Sequence, residues 1–240
     1  GRRMMTERLY YADSYLKEFS ATVVACRRSG DAPAVVLDRT AFYPESGGQP
    51  CDTGMLNDAH VLRVVEEDGG AVLHVLDREI AGGLVAGRID WARRFDHMQQ
   101  HTGQHILSQA FLGIARAQTL SFHMGADAST IDVDLAQLTP QLLASVERLA
   151  ADVVFRNRPV HVLETDRENL GSLGIRKESR REGRLRVIDV DGFDRSACGG
   201  THVGATGEIG VIFVSDHERY KGGTRVEFVV TDGVVTPMRA

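Results

Sequence analysis

The chain has 240 residues, with 28 basic against 33 acidic side chains and a formal net charge of −5. With 42% apolar and 25% charged residues it has an ordinary globular composition, and its 25 glycines are too few for a collagen-like or low-complexity sequence. At roughly 150 residues per domain the length fits one large or two small domains, and the net acidity excludes a wholesale nucleic-acid coat protein without forbidding a local basic patch.

The first ninety residues read as strands. Ala21-Thr-Val-Val-Ala25, Ala34-Val-Val-Leu37, His60 to Val65 and Ala71 to Leu76 are short and rich in valine, with Gly or Asp between them. A loop of three glycines and two prolines, Tyr43 to Gly54, separates the second from the third. This spacing predicts a small β-barrel or sandwich over residues 5–89. From Trp91 to Leu112 there is no proline, and Phe95, Met98, Ile106, Leu107, Ala110 and Phe111 keep a helical rhythm. A strand pair follows, Leu120 to Met124 and Thr130 to Leu135. Thr139-Pro140 opens a second helix, with Thr as N-cap and Pro in the first turn. Further strands are expected at Val160–Leu163, Leu185–Val190, Ile209–Val214 and Thr224–Val230. The fold class is therefore α+β: a barrel-like N-terminal domain, then a two-layer α+β domain with an antiparallel sheet over residues 90–240.

Three of nine histidines fall within nine positions, His97, His101 and His105. A step of four residues on a helix turns by about 40°, so each adjacent pair projects from one face within reach of one ion. Spacing alone leaves His97/His101 and His101/His105 both open. Almost a hundred residues later, Ala197-Cys-Gly-Gly-Thr-His202 holds Cys198 and His202, also four apart, with two glycines that argue for a tight turn. A thiolate and an imidazole from such a turn complete a Cys-His₃ set, which suits zinc. Taken singly, each half also has an ordinary structural reading; together they favour Zn2+.

His101-Thr-Gly-Gln-His105-Ile-Leu-Ser, followed by Ser196-Ala-Cys198-Gly-Gly-Thr-His202-Val, resembles the paired signature of the alanyl-tRNA synthetase editing domain, whose free-standing relatives are the AlaX trans-editing proteins. Phe42-Tyr-Pro-Glu-Ser-Gly-Gly-Gln-Pro50 with Asp52-Thr-Gly54 is similar to the glycine motif of that family's β-domain. Ser121-Phe-His-Met-Gly125, Thr130-Ile-Asp-Val133 and Lys221-Gly-Gly-Thr-Arg225-Val-Glu resemble its later strands. A β-domain followed by an editing domain is similar to the medium-length AlaX type. One departure is Ser46, where many relatives carry a third glycine.

The resemblance implies His101, His105, Cys198 and His202 as the metal ligands, and hydrolysis in trans, without ATP, of the ester joining serine or glycine to alanine tRNA. Gly47 and Gly48 would let backbone approach the aminoacyl group; on the residues alone they make a hairpin or bulge turn. Thr102 and His123 are candidate pocket residues. The run from Arg176 to Arg186 holds six basic residues against Glu178 and Glu182, and Arg176, Lys177, Arg180, Arg181, Lys221 and Arg225 are candidate phosphate contacts. The alternative is a zinc-stabilised tRNA-binding module without activity. A zincin protease is disfavoured because His101-Thr-Gly-Gln-His105 lacks the glutamate base. Three cysteines (Cys26, Cys51, Cys198) speak against a disulfide framework. No apolar stretch has membrane-spanning length, so the expected location is cytoplasmic, with no membrane partner. The oligomeric state stays open.

Overall fold

The structure is a computed structural model that describes residues 5–166, 169, 173–176 and 185–230. The chain divides into two compact units, Gly1–His97 and Met98–Ala240. Among the described residues no helix is long and apolar enough to cross a membrane.

In the first unit β1 (Glu7–Arg8) pairs in parallel with β4 (Arg39–Thr40). The other strands are β2 (Glu18–Ser29), β3 (Ala32–Leu37), β5 (Gly54–Leu56), β6 (Ala59–Glu66), β7 (Val72–Leu76) and β8 (Leu84–Ile89). They close an antiparallel barrel in the order β2-β3-β7-β6-β5-β8. The long β2 makes closure possible. Its residues 18–22 pair with β8 and its residues 23–29 with β3, and the register shifts between Val23 and Ala25, where the strand passes from one neighbour to the other. Closure leaves the ring without a free edge. Leu37, Phe42, Leu56, Val64, Leu76 and Val85 fill it. One histidine joins this interior: His74 is fully buried, with Nε2 2.7 Å from Thr40 Oγ1 and Nδ1 3.3 Å from the Val35 carbonyl.

Helix α1 (Trp91–Ala115) begins in the first unit. Its Arg94 is completely buried, as is its partner Asp52. Arg94 Nε donates to both Asp52 oxygens at 3.1 Å, Nη1 donates to the Ser14 carbonyl at 2.9 Å, and Nη2 reaches Asp52 and the Ala41 carbonyl. Such a charge is tolerable inside protein only because its donors are met. Asp52 also accepts the Tyr43 N–H at 2.7 Å, so the pair fastens both ends of the glycine-rich loop.

The second unit holds β9 (Thr119–Met124), β10 (Ser129–Val133), α2 (Pro140–Phe155), β11 (Val160–Thr165), β12 (Leu185–Val190), β13 (Asp194–Ala197), β14 (Ile212–Tyr220) and β15 (Gly223–Val230). The strands form two antiparallel sheets, β14-β15-β10-β9 and β11-β12-β13. The α+β class holds. Thr139 caps α2 as its sequence suggests, Oγ1 accepting the Leu142 N–H at 3.2 Å with Pro140 at the first position. The strand expected from Ile209 begins at Ile212, because residues 206–209 form a 3-10 turn. From His101 to Ser108 every residue of α1 is buried, so the helix is enclosed all round. A methyl group on Gly103 would meet Val230 Cγ2 at 3.1 Å, which keeps the helix close against β15.

Candidate metal centre

One turn of α1 separates His101 from His105, and the helix backbone fixes that spacing. The chain leaves β13 at Ala197 and turns through Cys198-Gly-Gly-Thr201 to His202. One ligand atom from each of His101, His105, Cys198 and His202 lies within 4.8 Å of every other. His97 is not in the group. Cys198 Sγ stands 3.4 Å from His101 Nε2 and 3.3 Å from His202 Nε2. A tetrahedral ion with ordinary Zn–N and Zn–S bonds places its donors ~3.5 Å apart, so the set fits such an ion in spacing and in chemistry. The three imidazoles are 3 to 4% exposed, and the Phe122 ring lies 5.2 Å from that of His101.

The surroundings favour the ligating form at Cys198 and at His202, but not at His105. Burial alone would push the Cys198 thiol up, but His101 and His202 beside it hold it well below the usual thiol range. Burial drives His202 well below the usual imidazole range, which keeps it neutral. A thiolate and neutral imidazoles are what a divalent ion requires. The Gly200 N–H donates to Cys198 Sγ at 3.3 Å, a further stabilisation of the thiolate. Arg186 secures the turn: its Nη1 donates to the carbonyls of Cys198 at 3.0 Å and Gly200 at 2.6 Å, while its own carbonyl accepts the Cys198 N–H at 3.0 Å.

Two side chains stand behind the ligands. Thr102 Oγ1 lies 3.0 Å from His202 Nδ1 and accepts the Val203 N–H at 3.1 Å. Asp194 Oδ2 lies 3.4 Å from His105 Nδ1, and Arg176 Nε donates to Asp194 Oδ1 at 2.7 Å. Burial would raise the Asp194 carboxyl, but His105 and Arg176 hold it at about 2. His105 is raised: burial opposes its charge, but Asp194 and Cys198 favour it more.

Gly47 (φ 58°) and Gly48 (φ 86°) form the two-residue turn of a tight hairpin, with Ser46 and Gln49 exchanging both backbone hydrogen bonds. Thr102 sits behind a ligand, fully buried. His123 is exposed on β9; its neighbour Phe122 faces His101, and alternation along the strand sends His123 to the other face. Arg176 is spent on Asp194, its side chain only 10% exposed. Arg225 pairs with Asp132 at 2.7 and 2.9 Å and lies 3.6 Å over the Tyr220 ring. Lys221 is exposed. Lys177, Arg180 and Arg181 lie outside the described residues. The motif spacing missed Asp194 and the role of Arg186; the one signal for Asp194 is its alternation with Ser196 as polar residues on the buried side of a short strand.

A closed β-barrel unit followed by an α+β unit with a His₃Cys donor set defines the chain as a two-unit protein with a site suited to a metal ion. A family model described as tRNA synthetases class II (A) matches residues 6–93, and one described as threonyl and alanyl tRNA synthetase second additional domain matches residues 185–227. The chain is 36% identical over 246 residues to the alanyl-tRNA editing protein AlaX-M of Methanosarcina barkeri, covering 95% of this chain and 100% of that protein. It is 36% identical over 255 residues to AlaX-M of Methanosarcina acetivorans, with the same coverage. It is 38% identical over 244 residues to an alanine–tRNA ligase of Pyrobaculum calidifontis, of which the match covers 27%. The chain belongs to the alanyl-tRNA editing protein family.

Proposed function

We propose that the chain is a zinc-dependent deacylase that acts in trans on mischarged alanine tRNA, hydrolysing the ester between serine or glycine and the 3′-terminal ribose. The observation that carries this reading is the convergence of three buried histidines and a half-buried cysteine in a chain that matches AlaX-M editing proteins over their full length. His101, His105, Cys198 and His202 would hold the ion. When bound, zinc supplies a Lewis acid for the aminoacyl end of the substrate. The ester is already activated by the neighbouring ribose hydroxyl, so the protein's task is mainly placement.

The chain's own residues do the placing. Thr102 orients His202, and Arg186 fixes the turn that carries Cys198. The hairpin at Gly47 and Gly48 has open space at Gly47, where an added methyl group would meet no atom within 4 Å, which supports their reading as substrate contacts. Discrimination against alanine requires a partner for the serine hydroxyl, because an apolar substrate would leave that partner unpaired. Phosphate contact falls to exposed cations such as Lys221, since Arg176 and Arg225 are engaged with carboxylates.

A second reading has a specific observation in its favour. Four protein donors form the closed set of a structural site, whereas catalytic zinc usually keeps a position open. That reading makes the chain a tRNA-binding module without activity. Deacylation of seryl-, glycyl- and alanyl-tRNA for alanine separates the two. Release of serine or glycine supports the enzyme; zinc binding and tRNA binding without turnover leave the module.

A further inference from the structure

We propose that Asp194 is a positioning residue of the metal centre: its carboxylate sets the tautomer and tilt of the His105 ring, and Arg176 holds that carboxylate in place. The inference rests on the reading that the four donors hold zinc. An imidazole that binds a metal through Nε2 carries its proton on Nδ1, and that N–H needs an acceptor to fix the ring. For His202 the acceptor is Thr102. For His105, Nδ1 is buried and makes no hydrogen bond of normal geometry among the described residues; Asp194 Oδ2 faces it at 3.4 Å.

The carboxylate is built to face this way. Asp194 is 4% exposed, and a buried carboxylate is costly unless its charge is met. Arg176 meets it, with Nε on Oδ1 at 2.7 Å and Nη2 on Oδ2 at 3.3 Å, and Ser196 Oγ donates to Oδ2 at 3.0 Å. Arg176 is itself fastened to the strand, its N–H donating to the Arg195 carbonyl at 2.8 Å. Asp194 opens β13 in register with Val190, and Cys198 follows four residues later. One short strand thus delivers both the carboxylate behind one ligand and the thiolate that is another. Asp194 and Arg176 cancel in charge, so the carboxylate orients His105 without adding net negative charge to a site that already holds a thiolate.

The test is zinc affinity, measured on the purified full chain by competition with a chromophoric chelator. Asp194→Ala should bind zinc 10–100-fold more weakly, on the order seen when a partner behind a metal ligand is removed. Asp194→Asn, which keeps an acceptor oxygen without the charge, should fall between. Thermal unfolding of the zinc-stripped proteins establishes that each variant folds. A folded Asp194→Ala chain with wild-type zinc affinity overturns the proposal. If Asp194→Ala does not fold, nitrogen-15 NMR of histidine-labelled, zinc-loaded wild type decides: His105 should carry its proton on Nδ1, and ligation through Nδ1 overturns the proposal. A wild-type chain that binds no zinc overturns this proposal and the zinc reading together. Weakened zinc binding in Asp194→Ala, in a chain that deacylates nothing, would uphold the inference and reject the proposed activity.

Discussion

At Thr102 a single hydroxyl serves two neighbours, 3.0 Å from His202 Nδ1 and 3.1 Å from the Val203 N–H. With zinc on Nε2, the imidazole donates from Nδ1, and the Thr102 oxygen accepts both bonds with its two lone pairs. Thr102→Val keeps the shape and removes the acceptor, so zinc affinity should fall roughly tenfold while Thr102→Ser stays near wild type. Chelator competition measures it; a valine variant with unchanged affinity would remove Thr102 from the centre. His74 provides a pH signature in the barrel. Burial holds it down to about 4, against about 6.5 in an unfolded chain. Its stabilising contribution is therefore complete above pH about 6.5 and is lost as pH falls toward 4, where the unfolded chain takes up a proton that the fold refuses. Across that window His74→Gln should lose less stability than wild type, by up to about 3 kcal/mol. Parallel urea-denaturation profiles for the two proteins would contradict this. The proposed donors were legible from the four-residue steps together with the family resemblance, since spacing alone left His97/His101 and His101/His105 both open. Asp194 was not, because it reaches His105 through the pairing of β12 with β13, which leaves no fixed spacing along the chain.

Among the elements, α1 carries the most varied duties. Its first turn sends Arg94 into Asp52, and a later turn presents His101 and His105. Removing one partner of a buried ion pair leaves the other uncompensated. Arg94→Met and Asp52→Asn should each destabilise the chain by about 3–5 kcal/mol, read from urea unfolding at pH 7. A loss below about 1 kcal/mol in both would show that the pair is not what fastens the glycine loop. The helix itself was plain in the sequence from its apolar rhythm, and α2 from its cap and proline. Strand β8 was hidden: Leu84 stands outside, 76% exposed, while Gly87 is buried opposite Phe19, so polarity does not follow the inward and outward alternation. Barrel closure was equally hidden, since it depends on β2 serving two neighbours from its two halves.

At the scale of the whole molecule, a net charge of −5 coexists with a proposed RNA substrate because the average conceals local differences. The structure also changes how the cations count. Arg176, Arg186 and Arg225 are used inside the second unit, on Asp194, on the Cys198 turn and on Asp132. The fold class follows from short-range patterns, and the proposed donor set from those patterns together with the family resemblance; substrate preference does not, because it depends on which group meets a serine hydroxyl. The proposed deacylase removes a wrong amino acid from alanine tRNA and needs its metal centre to do so. The direct measurement is deacylation of seryl-, glycyl- and alanyl-tRNA for alanine by zinc-loaded wild type and by His105→Ala. Serine or glycine should be released, alanine spared, and His105→Ala should lose both zinc and turnover. A zinc-loaded chain that releases neither serine nor glycine, or a zinc-free His105→Ala variant that deacylates at the wild-type rate, would contradict this.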